Sequence, residues 1–268
     1  MHPSHSLCAD GNLHLVVSCM IRTKSSDELK VMRKAGSIVA ECHALLSQAI
    51  RPGVNTRDLD ALVEQHIRKS RATPSFKGHH GFPASICVAL NDEICHGFPR
   101  SQPLKEGDVV TIDIGALYEG YHGDSAWTYA VGEVSPDIRR LMKDGEKALF
   151  LGIEHARPGR RIGDIGHAIQ SFAEPLGYGV VREFCGHGVG RELWEEPQVP
   201  HFGRPGTGHQ IQAGMVLAIE PMLTLGSWRA RIDKDGWTAR TVDGSICVQY
   251  EHTVAVTDEG PVILTEKK

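Results

Sequence analysis

The apolar positions fall into alternating helical and strand-like blocks. In "SDELKVMRKAGSIVAECHALLSQAI", Leu29, Met32, Ile38, Val39, Leu45, Leu46, Ala49 and Ile50 recur near helical spacing. A helix is predicted there, with Ser26 as its cap. "RPGVNT" stops it, and "TRDLDALVEQHIRKS" predicts a second helix capped by Thr56. Between about Ile86 and Cys95, "ICVALNDEIC" reads as strand–turn–strand, turning at Asn91-Asp92. "VVTIDIGALYEGYHGDSAW", Val109 to Trp127, reads as a β-hairpin about Glu119-Gly120. A further helix is predicted over about Pro136–Glu154; "RPGRRIGDIGHAIQSFAEPLG" and another helix follow. The remainder is mostly strands and turns, with Asp-Gly at 235–236 and 243–244.

The two halves resemble each other. "RPGVNTRDLDALVEQHI" from Arg51 matches "RPGRRIGDIGHAIQSFA" from Arg157, and each sets an Asp at the same offset, Asp58 and Asp164. "KEGDVVTIDIG" from Lys105 matches "QAGMVLAIEPM" from Gln212, which puts Asp113 on Glu220. An internal duplication follows, with half-domains related by a pseudo-two-fold and an acid on a matching strand of each.

Bulk properties narrow the class. The chain has 268 residues, is 41% hydrophobic and 23% charged, and carries a net charge of −4. Those values fit a globular domain and give no electrostatic case for nucleic acid or an anionic membrane. No apolar run approaches the ~20 residues of a membrane helix. The seven cysteines form no Cys-x-x-Cys, so neither a disulfide framework nor a thiolate zinc site is expected. A reducing, cytoplasmic setting is the expectation. Residues 1–19 lack periodicity and a secretory pattern, and are expected to be a disordered extension before a start-like Met20.

Asp113 stands inside an apolar strand, where an unpaired carboxylate is costly. A two-residue loop at Glu119-Gly120 pairs Tyr118 with Tyr121 and sets Asp113 opposite Ala126. Asp124 is then a same-face diagonal neighbour, ~7–8 Å away between backbones. Two such carboxylates repel unless a cation or proton joins them. Glu220 in "MVLAIEPM" and Glu251 in "ICVQYEHTVAV" repeat the pattern. His187 lies between glycines in "FCGHGVGRELWEEPQ". One imidazole with four carboxylates suits two divalent ions of the Mn, Fe, Co or Zn kind. A pair of ions ~3.5–4 Å apart activates water and stabilises the oxyanion of hydrolysis.

With "NDEICHGFP", "CGHGVGRELWEEPQVPHFG", "AIEPM" and "DGWTARTVDGSICVQYEHTVAVT", the chain resembles the type I methionine aminopeptidases over about Met20 to Leu264. That resemblance implies the α+β pita-bread fold: a curved, mostly antiparallel sheet with helices on its convex face. It implies one catalytic domain over 20–268 and metal ligands at Asp113, Asp124, His187, Glu220 and Glu251. Glu220 would also act as general base, and His96 would contact the substrate amine or scissile nitrogen. Phe82, Cys87 and Trp237 match the methionine side-chain pocket. Phe76 and His79 match its rim, and His80 a histidine near its mouth. The implied reaction removes the first methionine from nascent chains and peptides with a small second residue. The ribosome is a further candidate partner, although no amino-terminal zinc-binding extension is expected. A monomer is expected.

One position departs from the pattern. Trp194 stands where most family members carry a second histidine that binds the substrate's carbonyl region. Indole donates one hydrogen bond and accepts none. The departure raises a slower or differently selective paralogue, and a binding-only relative, as alternatives. A third reading uses His122, Asp124 and His187 as the facial triad of a non-heme iron oxygenase. That reading leaves Asp113, Glu220 and Glu251 without a role.

Overall fold

The computed structural model describes residues 21–266. The extension expected over residues 1–19, and the start at Met20, lie outside the described residues. The apolar stripes form α1 (Ser26–Ala49), α2 (Thr56–Lys69), α3 (Pro136–Glu154) and α4 (Ile162–Ala173). Two caps differ from the expectation by one residue. Ser25, not Ser26, caps α1: its hydroxyl accepts the Glu28 amide at 3.4 Å, and the Glu28 carboxylate accepts the Ser25 amide at 2.8 Å. Asn55, not Thr56, caps α2, accepting the Asp58 amide at 3.0 Å. A side chain on the extended residue just before a helix can turn back to the first-turn amides, and one already inside that turn cannot. Thr56 Oγ1 accepts the Arg100 amide instead, at 2.7 Å.

The first half contributes β1 (Thr73–Pro74), β2 (Ile86–Leu90), β3 (Glu93–Cys95), β4 (Val109–Tyr118) and β5 (Tyr121–Ala130). The second contributes β6 (Gly179–Val180), β7 (Gly186–Gly188), β8 (Glu195–Val199), β9 (Val216–Ile219) and β10 (Met222–Thr224). It continues with β11 (Ala230–Ile232), β12 (Ala239–Thr241), β13 (Cys247–Gln249), β14 (His252–Thr257) and β15 (Gly260–Ile263). The ladders among the described residues are antiparallel. In one sheet β4 takes β5 on one edge and β2 and β1 on the other. In a second the order is β15-β14-β9-β7-β8. The strand–turn–strand at 86–95 forms, but its arms part at Asn91, where φ is 57°. β2 joins β4, and β3 joins β12.

The β4–β5 hairpin has the register that its sequence predicts. Tyr118 pairs with Tyr121 and Asp113 with Ala126. Glu119 and Gly120 have φ of 47° and 80°, both left-handed, the tight turn whose twist matches that of the strands.

Two helix layers cover the sheets. Ile38, Val39 and Leu46 of α1 and Leu59, Val63 and Ile67 of α2 pack on Ile86, Val88, Ile112 and Ile114. Leu141 and Leu149 of α3 and Ile165 and Ile169 of α4 pack on Leu217, Val248 and Val254. Each such side chain removed from water contributes about 1.5–3 kcal/mol. Alternation along β4 turns Ile112 and Ile114 to the helices and Asp113 to the opposite, concave face. That answers why a carboxylate interrupts the apolar run.

The duplication is visible in the topology. α4 opens 106 positions after α2, and a matching antiparallel bridge precedes each, Asn55 with Pro103 and Arg161 with Gln210. The halves meet where residues 249–253 lie along β5. Ser125 Oγ donates to the Glu251 carbonyl at 2.6 Å, and Thr128 Oγ1 to that of Gln249 at 2.8 Å. Thr253 Oγ1 accepts from the Asp124 amide at 3.0 Å and donates to the Asp124 carbonyl at 2.7 Å. Among the described residues no helix is long and apolar enough to cross a membrane.

Candidate active site

A cavity of about 800 Å³ opens on the concave face. Asp113 and Asp124 reach it from the hairpin, His187 from β7, Glu220 from the end of β9 and Glu251 from the start of β14. The two halves thus deliver the acids to one point, as the repeat implies. One ligand atom each from Asp124, His187 and Glu251 lie within 4.8 Å of one another. His187 Nε2 is 3.6 Å from a Glu220 oxygen and 3.8 Å from an Asp124 oxygen.

The chemistry of this set favours a cation. His187 Nδ1 faces the Gly188 carbonyl at 2.9 Å and so carries the ring proton. Nε2 then directs a lone pair at carboxylate oxygens, which repels unless a positive charge lies between them. Asp113 Oδ1, Asp124 Oδ1 and Glu251 Oε1 are buried without a hydrogen-bond partner. Buried carboxylate oxygens are normally satisfied, and orphaned ones converging on an imidazole fit metal ligation.

The proton equilibria without a metal point the same way. Burial pushes Asp113 up to about 7, its hydrogen bond with Asp124 offsetting part of the cost. Burial, then the neighbouring acids, raises Asp124, Glu220 and Glu251 well above the usual carboxylate range. Burial holds His187 down at about 4, leaving it neutral at physiological pH, the form that ligates.

The opposite wall is apolar. Phe76, Phe82 and Cys87 form one buried cluster with Leu193, against which Trp194, Trp237 and Phe98 pack. Phe76, His79, Phe82, Cys87, His96, Trp194 and Trp237 all line the cavity. His96 has a φ of 59°, and its ring meets Phe184 edge-on at 5.7 Å. His80 is outside the lining: it sits exposed on the 79–81 turn and stacks on Trp194 at 5.8 Å and 10°. Trp194 also meets His79 edge-on at 4.7 Å and His187 at 6.4 Å. The oxygenase triad does not assemble among the described residues. His122 Nδ1 lies 2.8 Å from Ser75 Oγ, and His122 is neither in the cavity lining nor in the ligand group.

Several site residues were not anticipated. Gln249 Nε2 donates to Glu220 Oε2 at 3.1 Å, and His201 Nε2 accepts the Glu220 amide at 3.3 Å. Gln249 was within reach, since it lies two residues before Glu251 and shares its face in a strand. His201, in "QVPHFG", carries no periodic signal. Cys95, Phe184 and Met222 also line the cavity, and Arg22, Glu183, Glu192, Glu195 and Glu196 give its lining a charged part.

Comparison with known proteins identifies the family. The model of metallopeptidase family M24 matches residues 30–258. A methionine aminopeptidase of Bacillus subtilis is 50% identical over 92% of this chain and 99% of its own length. One from Clostridium perfringens is 49% identical with the same coverage. A methionine aminopeptidase crystal structure from Thermotoga maritima superposes with a TM-score of 0.91 at 44% identity, covering 92% of this chain and 100% of that one. The chain belongs to metallopeptidase family M24, in its methionine aminopeptidase branch.

Proposed function

We propose that the chain hydrolyses the first peptide bond of polypeptides that begin with methionine and carry a small second residue. Nascent protein N-termini are the natural substrates, and two divalent ions from among Co, Mn, Fe and Zn are the cofactors. One observation carries the reading: three buried carboxylates, the half-buried Asp113 and a neutral imidazole face an apolar aromatic pocket across one cavity.

Asp113, Asp124, His187, Glu220 and Glu251 would hold the ions. Divalent ions bound there supply Lewis acidity, which acidifies water and polarises a carbonyl. Glu220 takes the proton of the attacking water and later returns one to the leaving amine. Gln249 fixes the Glu220 carboxylate for that task through its hydrogen bond to Oε2. Phe82, Cys87 and Trp237 hold the methionine side chain, with Phe76 and His79 at the rim. A thioether suits such a pocket, since sulfur makes favourable contacts with aromatic rings. His96 holds the scissile nitrogen or the amine. Trp194 closes the wall nearest His187 and narrows the room for the second residue.

The test starts from protein stripped of metal and given Co, Mn, Fe(II) or Zn. Release of methionine from a short Met-first peptide is compared with release of leucine from a Leu-first one, alongside calorimetric metal binding. Metal-dependent, Met-selective release is expected. Metal binding with no release from either peptide would replace this reading with the binding-only one.

A further inference from the structure

A second cavity of about 330 Å³ adjoins the first. Arg22 and Glu195 line both, so the catalytic cavity continues into a cleft between the chain at 21–24 and the hairpin tip. The charges in this cleft do not balance. Lys24 and Glu195 neutralise each other in an ion pair at 2.7 Å, their side chains only 6% and 13% exposed. Glu28 is engaged by the Tyr121 hydroxyl and, at 2.8 Å, by the Ser25 amide. Arg191 lies over the Tyr121 ring at 4.6 Å. Among the described residues, neither Arg22 nor Arg191 forms an ion pair. One carboxylate, Glu28, therefore stands against two guanidinium groups in the cleft.

The shared lining leaves a bound peptide this way out of the catalytic cavity. With its first side chain in the aromatic pocket, an extended chain advances ~3.3 Å per residue. On that path the second residue would lie by Trp194, and the following ones would run past Glu192, Glu195, Glu196 and Arg22 before they reach the cleft. Guanidinium groups pair with carboxylates through paired N–H donors and repel ammonium groups.

We infer that the cleft is a downstream subsite that takes acidic side chains at the third to fifth positions of the peptide. The inference rests on the aminopeptidase reading and adds a substrate class to it. The cleft makes removal of the first residue depend on sequence several positions beyond the bond that is cut.

The experiment measures kcat/KM of the metal-loaded full chain for Met-Ala-Ala-Glu-Glu amide and Met-Ala-Ala-Lys-Lys amide, with Met-Ala amide as a reference too short to reach the cleft. The acidic peptide is expected to be preferred by roughly three- to tenfold at low salt, the range of a few partly exposed charge pairs. The preference should shrink toward unity at high ionic strength. In the Arg22→Glu/Arg191→Glu double variant it should reverse. The ratio is taken within each protein, so a change in overall activity cancels. If the double variant does not fold, Arg22→Gln and the salt series in the parent give the same reading. Equal values for the two long peptides at low salt, or an unchanged preference in the charge-reversed protein, would overturn the inference while Met-Ala amide cleavage left the activity standing. No methionine released from any of the three would overturn both.

Discussion

The Gln249 carboxamide donates to Glu220 Oε2 at 3.1 Å, and it does so across buried ground. Gln249 sits on β13 and Glu220 at the end of β9, so the bond fixes a carboxylate that its own strand does not hold. Gln249→Leu keeps the volume and removes the donor. Metal affinity by calorimetry and kcat should each fall roughly 10- to 100-fold, the usual cost of losing a group that orients a ligand. Unchanged values for both would mean that the His201 contact to the Glu220 amide suffices.

Trp194 places an indole 6.4 Å from the His187 ring, stacked against His80. An imidazole there could offer a donor to an oxyanion, and a missing donor typically costs ~10²–10³ in turnover. Trp194→His should therefore raise kcat on a Met-Ala peptide by about tenfold or more. It should also lower the melting temperature, because the Trp leaves a packed aromatic cluster. Parent-like turnover in a folded variant would show that Trp194 imposes no rate penalty.

Metal loading should matter more as pH rises. In the stripped protein, burial raises Asp113 to about 7, and burial with the neighbouring acids raises Asp124, Glu220 and Glu251 well above the usual carboxylate range. Their protonated forms favour the folded state. That contribution is complete below the unfolded carboxylate range near pH 4 and is lost as pH climbs through 7 and beyond. Metal binding needs the ionised forms and releases protons. The gap in melting temperature between loaded and stripped protein should widen from pH 5 to pH 8. Buried His43, held down at about 4, and His201, at about 3, titrate in both forms of the protein and largely cancel in the difference. A gap independent of pH would contradict the ligand assignment.

Gly123 lets β5 touch α1. A Cβ there would meet the Gly36 amide nitrogen at 2.7 Å and the Ala35 carbonyl carbon at 2.9 Å, both backbone atoms that cannot swing aside. Gly123→Ala should cost about 1–3 kcal/mol of stability, in the range of overpacked cores. It should also weaken metal binding, since Asp124 is the next residue. Denaturant unfolding and calorimetry on the same samples check both effects.

The parts legible in the sequence were those with a local pattern. Period-2 alternation and a two-residue loop fixed the register that sets Asp124 diagonal to Asp113, and the helices followed from apolar spacing. Convergence of Glu220 and Glu251 on that hairpin was legible only through the repeat and the family resemblance, because it depends on strands far apart in the chain. The caps slipped by one residue because Ser25-Ser26 and Asn55-Thr56 each offer two capping side chains, and only backbone geometry chooses between them. The Lys24–Glu195 pair joins residues 171 positions apart, a separation over which spacing carries no information.

The seam along β5 has a consequence for when the protein can act. Asp113 and Asp124 belong to the first repeat, whereas His187, Glu220 and Glu251 arrive with the second. During synthesis the first repeat emerges with two adjacent carboxylates and no imidazole, a poor trap for a transition-metal ion. With the ligands proposed here, a cation would become a cross-link only after the second repeat has folded against β5, and from then on it would tie together stretches of chain made at different times. A hydrolase that acts as proposed would thereby stay inert as a new protein itself, until its own last strands are in place.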